Sequence, residues 1–167
     1  AQATAAASSS QNQSKYEANV ASVAGKMDNR VIAAYQQLGF KLVVDPSVNY
    51  SGYFDARSRS ITMKQIDDSV YHELGHFLAF IAGNADKTAS FQSIFAAEKA
   101  NVTAFNKAYV TQNASEYFAE SVKDYILNNA SLKSTRPQTY AAVQNALNQI
   151  TDAQIAKIQK IYGAFWN

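Results

Sequence analysis

An α+β architecture is what this sequence predicts: a small N-terminal sheet with its helix, a ligand-bearing helix in the middle, and a helical C-terminal half. Three observations carry that expectation. Strand-like runs bounded by turn residues are confined to Phe40–Lys64. Beyond residue 67, apolar residues recur at helical spacing in segments joined by short polar stretches. Much of the 47% apolar fraction is alanine, the strongest helix former.

Taken in order, residues 1–14 are rich in Ala, Ser and Gln and are expected to be disordered, which leaves 15–167 as one domain. A long helix is expected from about Lys15 to Leu38, with Val20, Val23, Met27, Val31, Ile32 and Tyr35 on its buried side and Gly39 as its stop. Phe40–Asp45 reads as a strand closed by Asp45-Pro46, and two more strands, Gly52–Asp55 and Ser60–Lys64, flank polar Ala56–Arg59. The next helix starts at the capping residues Asp67, Asp68 and Ser69 and stops at Gly83-Asn84, with Val70, Leu74, Phe77 and Ile81 as its apolar stripe. Further helices are expected over about 88–108, 114–128, 138–149 and 152–163, with Pro137 near the start of the third. Ile61–Lys64 is the expected free sheet edge, on which an extended peptide would add as a further strand.

Composition narrows the classes. The net charge is +2, with lysines and arginines scattered, so the basic stripe of a nucleic-acid binder is missing. No run of 18 apolar residues exists, and no membrane insertion is expected. With no cysteine, disulfides are excluded, and any metal must be held by histidine, carboxylate or water. The polar start Ala1-Gln2-Ala3-Thr4-Ala5 has the style of an exported protein after signal removal, so secretion is expected.

The chain has two histidines, His72 and His76, four residues apart in His72-Glu73-Leu74-Gly75-His76. On a helix, positions i and i+4 share a face, so both imidazoles can reach one ion. Neutral imidazole suits Zn2+, and a glutamate beside the first histidine can serve as base toward a zinc-activated water. This is the pattern of zinc metallopeptidases. Catalytic zinc usually takes three protein ligands, and without a third histidine the missing one is Asp or Glu. Glu116 and Glu120, again four apart, are the candidates, and periodicity does not choose between them. Glu116 also has capping-box spacing from Asn113, and Glu120 lies within reach of Lys123.

His-Glu-x-x-His followed, forty residues after His76, by Glu116-Tyr117-Phe118-Ala119-Glu120 resembles the catalytic domain of anthrax lethal factor and its smaller secreted relatives, the Pro-Pro endopeptidases of Gram-positive bacteria. Ser90–Phe95, Leu132-Lys133-Ser134 and Pro137–Tyr140 look like family segments too, so the resemblance covers about Ile61–Leu147. It implies a gluzincin-like zinc endopeptidase with His72, His76 and Glu116 as metal ligands, Glu73 as catalytic base and Glu120 supporting a ligand histidine. Tyr109, seven residues before Glu116, matches a family tyrosine that donates a hydrogen bond to the oxyanion. The expected partner is an extended polypeptide, Pro-rich and cut between prolines, such as a bacterial surface protein, met by a monomeric enzyme. The chain departs from those relatives before the zinc helix, where Asn49–Phe54 is shorter and lacks their tryptophan; Trp166 is the one tryptophan here. Tyr50, Tyr53 and Phe54 are candidates for an aromatic wall against proline rings, and any of them can equally serve the core of a small sheet. Met63 and Ser115 complete the substrate-binding candidates. The alternatives are a non-catalytic peptide- or receptor-binding domain derived from this fold, and a lethal-factor-like toxin protease, which would be expected to carry a delivery domain.

Overall fold

The computed structural model describes residues 14–166 and is α+β, a four-stranded sheet followed by a mostly helical remainder. The disorder expected for residues 1–14 falls, apart from Ser14, outside the described residues. The chain enters as β1 (Tyr16–Ala18), passes through α1 (Val20–Val23) and α2 (Asn29–Gln37), and returns as β2 (Lys41–Val44). A hairpin of β3 (Gly52–Asp55) and β4 (Ser60–Met63) completes the sheet in the order β1-β2-β4-β3. β1 is antiparallel to β2, β2 parallel to β4, and β3 antiparallel to β4.

Two expectations for this half are corrected. The single helix over Lys15–Leu38 is a strand and two helices. The Asn19 carboxamide accepts from the Ser22 N–H at 3.1 Å, and Asp28 accepts from the Arg30 N–H at 2.8 Å, so two side chains start separate helices. Gly25 lies between them, where helix propensity is weak. The apolar spacing survives the break, since Val20, Met27, Val31 and Tyr35 are all buried. The second correction concerns the sheet edge. β4 is interior, paired to β2 on one side and β3 on the other, so β3 forms the edge. Tyr35 helps seat β4 there: its hydroxyl donates to Lys41 O at 2.5 Å and accepts from the Ile61 N–H at 3.1 Å, bridging β2 and β4.

After the sheet come α3 (Ser69–Ile81), a 3-10 turn (Ala85–Lys87), α4 (Ala89–Glu98), a second 3-10 turn (Lys99–Asn101), α5 (Lys107–Val110), α6 (Ala114–Leu127), α7 (Asn129–Thr135), α8 (Pro137–Asn148) and α9 (Asp152–Trp166). The helix expected over 88–108 is thus interrupted. Val102 adopts an extended ψ of 131° and buries its side chain, and β-branched Val102-Thr103 does little to oppose that turn inward. Asn129–Thr135, expected as a polar connection, is helical and buries Leu132. α3 runs through the core: Val70, Leu74, Phe77, Leu78 and Ile81 share one cluster with Tyr35, Phe40 and Ile61 and with Phe118 and Val122 of α6. At the far end of the chain, the Trp166 indole N–H donates to Ala56 O at 3.0 Å, fastening α9 to the β3–β4 turn.

Candidate metal centre and cleft

α3 and α6 lie antiparallel, and their contact leaves no room for a side chain at one point. A Cβ on Gly75 would stand 2.6 Å from the Ala119 carbonyl oxygen and 2.7 Å from its Cα. Glycine at mid-helix costs up to about 1 kcal/mol of propensity relative to alanine, and here it permits backbone-to-backbone approach. That approach faces His72 toward Glu120 and His76 toward Glu116. A side chain accepts from the first turn of each helix, from the residue before the N-cap in α3 and from the N-cap itself in α6. Asp67 accepts from the Ser69 N–H at 3.0 Å, and Asn113 accepts from the Glu116 N–H at 2.8 Å. Asn113 thus caps α6 through the Glu116 backbone while the Glu116 carboxylate reaches across to α3.

His72 Nε2 is 2.9 Å from Glu116 Oε2, and His76 Nε2 is 3.4 Å from Glu116 Oε1. On its other side, His72 Nδ1 is 2.7 Å from Glu120 Oε2. One ligand atom from each of His72, His76 and Glu116 lies within 4.8 Å of the other two. A four-coordinate ion with bonds of about 2.0–2.2 Å sets its ligands roughly 3.4 Å apart, so these three can close on one ion with small rotations. The Phe54 ring stacks on His76 with an interplanar angle of 12° and a centroid distance of 6.5 Å, backing that imidazole from β3.

The electrostatics agree with the distances. Burial pulls the His72 pKa down, but hydrogen bonds to Glu116 and Glu120 outweigh it and carry the ring up to about 9. Carboxylates at both nitrogens mean that, without an ion, both are protonated. Burial pushes Glu116 up, and hydrogen bonds from His72 and His76 overcome this and bring it down to about 2. Glu120 is lowered in the same way, against its burial, chiefly by His72. Glu73 behaves oppositely: it is raised, because burial outweighs the pull of the two imidazoles. It is buried beside Gly52, where a Cβ would stand 2.8 Å from Glu73 Cγ and 3.1 Å from Met63 Sδ.

Of these groups His72, Glu73 and Glu120 line a cavity of about 750 Å³, together with Tyr50, Gly52 and Tyr109, and residues 101–106 and parts of α6 and α7 form its other walls. Tyr109, on α5, is 57% exposed there, and its phenol pKa is raised by partial burial and then by Glu116, Glu73 and Glu120. Tyr50 lines the cavity, and Tyr53 stands 5.9 Å from it, ring to ring. Two substrate candidates lie elsewhere. Met63 is fully buried behind Gly52 and does not line the cavity. Ser115 donates to the buried carboxylate of Asp86 at 2.6 Å, which ties the start of α6 to the turn after α3. Sequence reasoning missed Gly52, Gly75 and the backing role of Phe54. A glycine inside a strongly apolar helix was a visible signal for Gly75; the other two depend on strand order.

The family profile described as "Anthrax toxin lethal factor, N- and C-terminal domain" matches residues 56–146, more than half of the chain. A Pro-Pro endopeptidase of Clostridioides difficile (strain 630) is 41% identical over 78 residues, covering 44% of this chain. The match spans 34% of that relative's length. The profile takes in both histidines, Glu73, Tyr109, Glu116 and Glu120, so the chain belongs to the anthrax toxin lethal factor family.

Proposed function

We propose that this protein is a secreted, monomeric zinc endopeptidase that cleaves extended, Pro-rich polypeptides between prolines, with bacterial surface proteins as substrates and residues 15–167 as its single domain. The observation that carries the reading is the convergence of His72, His76 and Glu116 on one point, with Glu73 and Tyr109 on the cavity that His72 lines. Two imidazoles and a carboxylate are a zinc donor set, and Glu120 on His72 Nδ1 is the outer carboxylate that orients such a ligand. Zinc held there supplies the Lewis acidity that makes water a nucleophile near neutral pH.

The remaining steps belong to the chain. Glu73, its proton affinity raised by burial, takes the proton of the attacking water and passes it to the leaving amine. The Tyr109 hydroxyl donates to the oxygen of the scissile carbonyl as charge develops. The substrate strand adds to the edge strand β3, whose Gly52 makes room for the Glu73 side chain beside it. Pro-Pro selectivity draws its support from the C. difficile relative and from the aromatic rings at the cavity.

The test is digestion of a peptide library containing proline pairs by zinc-loaded protein, with mass spectrometry of the new ends. The expected result is a cut between prolines by the wild type, and a loss of about 10²–10⁴-fold in rate with zinc retained in Glu73→Gln. A wild-type protein that binds zinc and cuts nothing contradicts the proposal.

A further inference from the structure

Phe105 is the most exposed large apolar side chain among the described residues, at 103% of its reference exposure. It stands between Val102 and α5, on a stretch that walls the same cavity as His72 and Glu73. Both ends of that stretch are pinned. Val102 and Val110 are buried, the Asn101 carboxamide donates to Thr135 O at 3.0 Å, and the Lys107 ammonium donates to Ala100 O at 2.7 Å. The ring is therefore presented from anchored backbone, yet it gains none of the transfer free energy that the core rings gain.

Exposed aromatics concentrate around this opening. Tyr50, Phe105 and Tyr109 all line it, and Tyr53 adjoins Tyr50. A cluster of exposed rings at the rim of a polar site is an interaction surface. The charges within the cavity are largely spoken for: Glu120 by His72 and, at 3.9 Å, by Lys123, and Asp124 by Arg136 at 2.5 Å. Apart from Glu73, little unmatched charge is left to select a charged substrate side chain, whereas apolar ring surface is in surplus.

We propose that Phe105 is a specificity-determining residue, gripping an uncharged aliphatic or prolyl side chain of a peptide seated across His72 and Glu73. The inference rests on the endopeptidase reading above and adds the residue that selects for apolar segments beside the cut.

The experiment is steady-state kinetics of wild type, Phe105→Ala and Phe105→Trp on a peptide the wild type cleaves, and on versions with each apolar residue near the cut replaced in turn by serine. The expected result is a KM about tenfold higher for Phe105→Ala, equivalent to about 1.4 kcal/mol, with zinc content and Tm unchanged. Phe105→Trp restores KM, and the alanine penalty disappears for the one serine-substituted peptide that lacks the gripped side chain. In a Phe105→Trp, Glu73→Gln protein, peptide addition shifts tryptophan emission to the blue over a constant contribution from Trp166, which is packed between Phe40 and Tyr162. An unchanged KM for Phe105→Ala, or the same penalty on every peptide, overturns the role of Phe105 while leaving the endopeptidase reading intact. A zinc-loaded wild type that cleaves no peptide overturns that reading, and this inference falls with it.

Discussion

At the scale of the residue, the site is a contest between burial and pairing, and each carboxylate resolves it differently. Glu116 and Glu120 face imidazoles closely enough that pairing wins and both stay ionised; at Glu73 burial outweighs the pull of the two imidazoles and of the Phe54 backbone N–H. In the proposed mechanism, that split separates the carboxylates that hold the imidazoles from the one that moves a proton. In the same proposed mechanism Tyr109→Phe removes one donor to the developing oxyanion, and kcat is expected to fall by about 10²–10³ with zinc content unchanged. An unchanged kcat removes Tyr109 from the chemistry. His72 also sets a pH dependence in protein stripped of metal. Its pKa is raised from 6.5 to about 9, so its contribution is complete below 6.5 and lost as pH rises through 9, at most about 3 kcal/mol. Glu116 is lowered from 4.5 to about 2, so its contribution is present above 4.5 and lost as pH falls through 2. The two share one interaction, and their effects do not add. Melts of chelated protein should show Tm falling between pH 6.5 and 9; a flat Tm there would mean that the carboxylates do not hold His72.

At the scale of the element, the pairing of α3 with α6 makes the site, and Gly75 is its closest point. Alanine there gains up to about 1 kcal/mol of helix propensity but must displace the Ala119 backbone, and overpacking against backbone costs about 1–3 kcal/mol. The second effect wins. Gly75→Ala is expected to lower Tm by several degrees and zinc affinity at least tenfold, read by melting and by competition with a chromogenic chelator. Retained affinity would show that the helices need not approach so closely. What the sequence made legible follows from range. His72 and His76 were readable because one helical turn joins them, and the α3 and α6 boundaries because their caps are local. The choice of Glu116 over Glu120 rested on the family resemblance, since both sit on one face and only the pairing of two helices distinguishes them. Strand order was not legible. Placing β4 between β2 and β3 depends on a parallel pairing across some twenty residues and on the Tyr35 hydroxyl, neither of which leaves a local pattern. The helix expected over Lys15–Leu38 failed for the opposite reason: its apolar spacing was right, but two capping side chains and Gly25 broke it locally.

At the scale of the molecule, the sheet and the helical half meet on α3, and the candidate metal centre lies on the α3–α6 seam on which the core depends. An ion there would bind the folded chain and not the unfolded one, since His76 and Glu116 are forty residues apart in sequence. Zinc at about a thousand times its Kd is expected to add about 4 kcal/mol, raising Tm by roughly 8–16 °C for a chain of this size. Calorimetric scans with and without zinc measure it, and no rise would place any bound ion away from the seam. No helix among the described residues is long and apolar enough to cross a membrane. The most direct test of the central claim is anomalous diffraction at the zinc edge from crystals of the zinc-loaded protein. A single peak within about 2.0–2.2 Å of His72 Nε2, His76 Nε2 and a Glu116 oxygen is the predicted result. A peak elsewhere, or one whose third ligand is not Glu116, contradicts it.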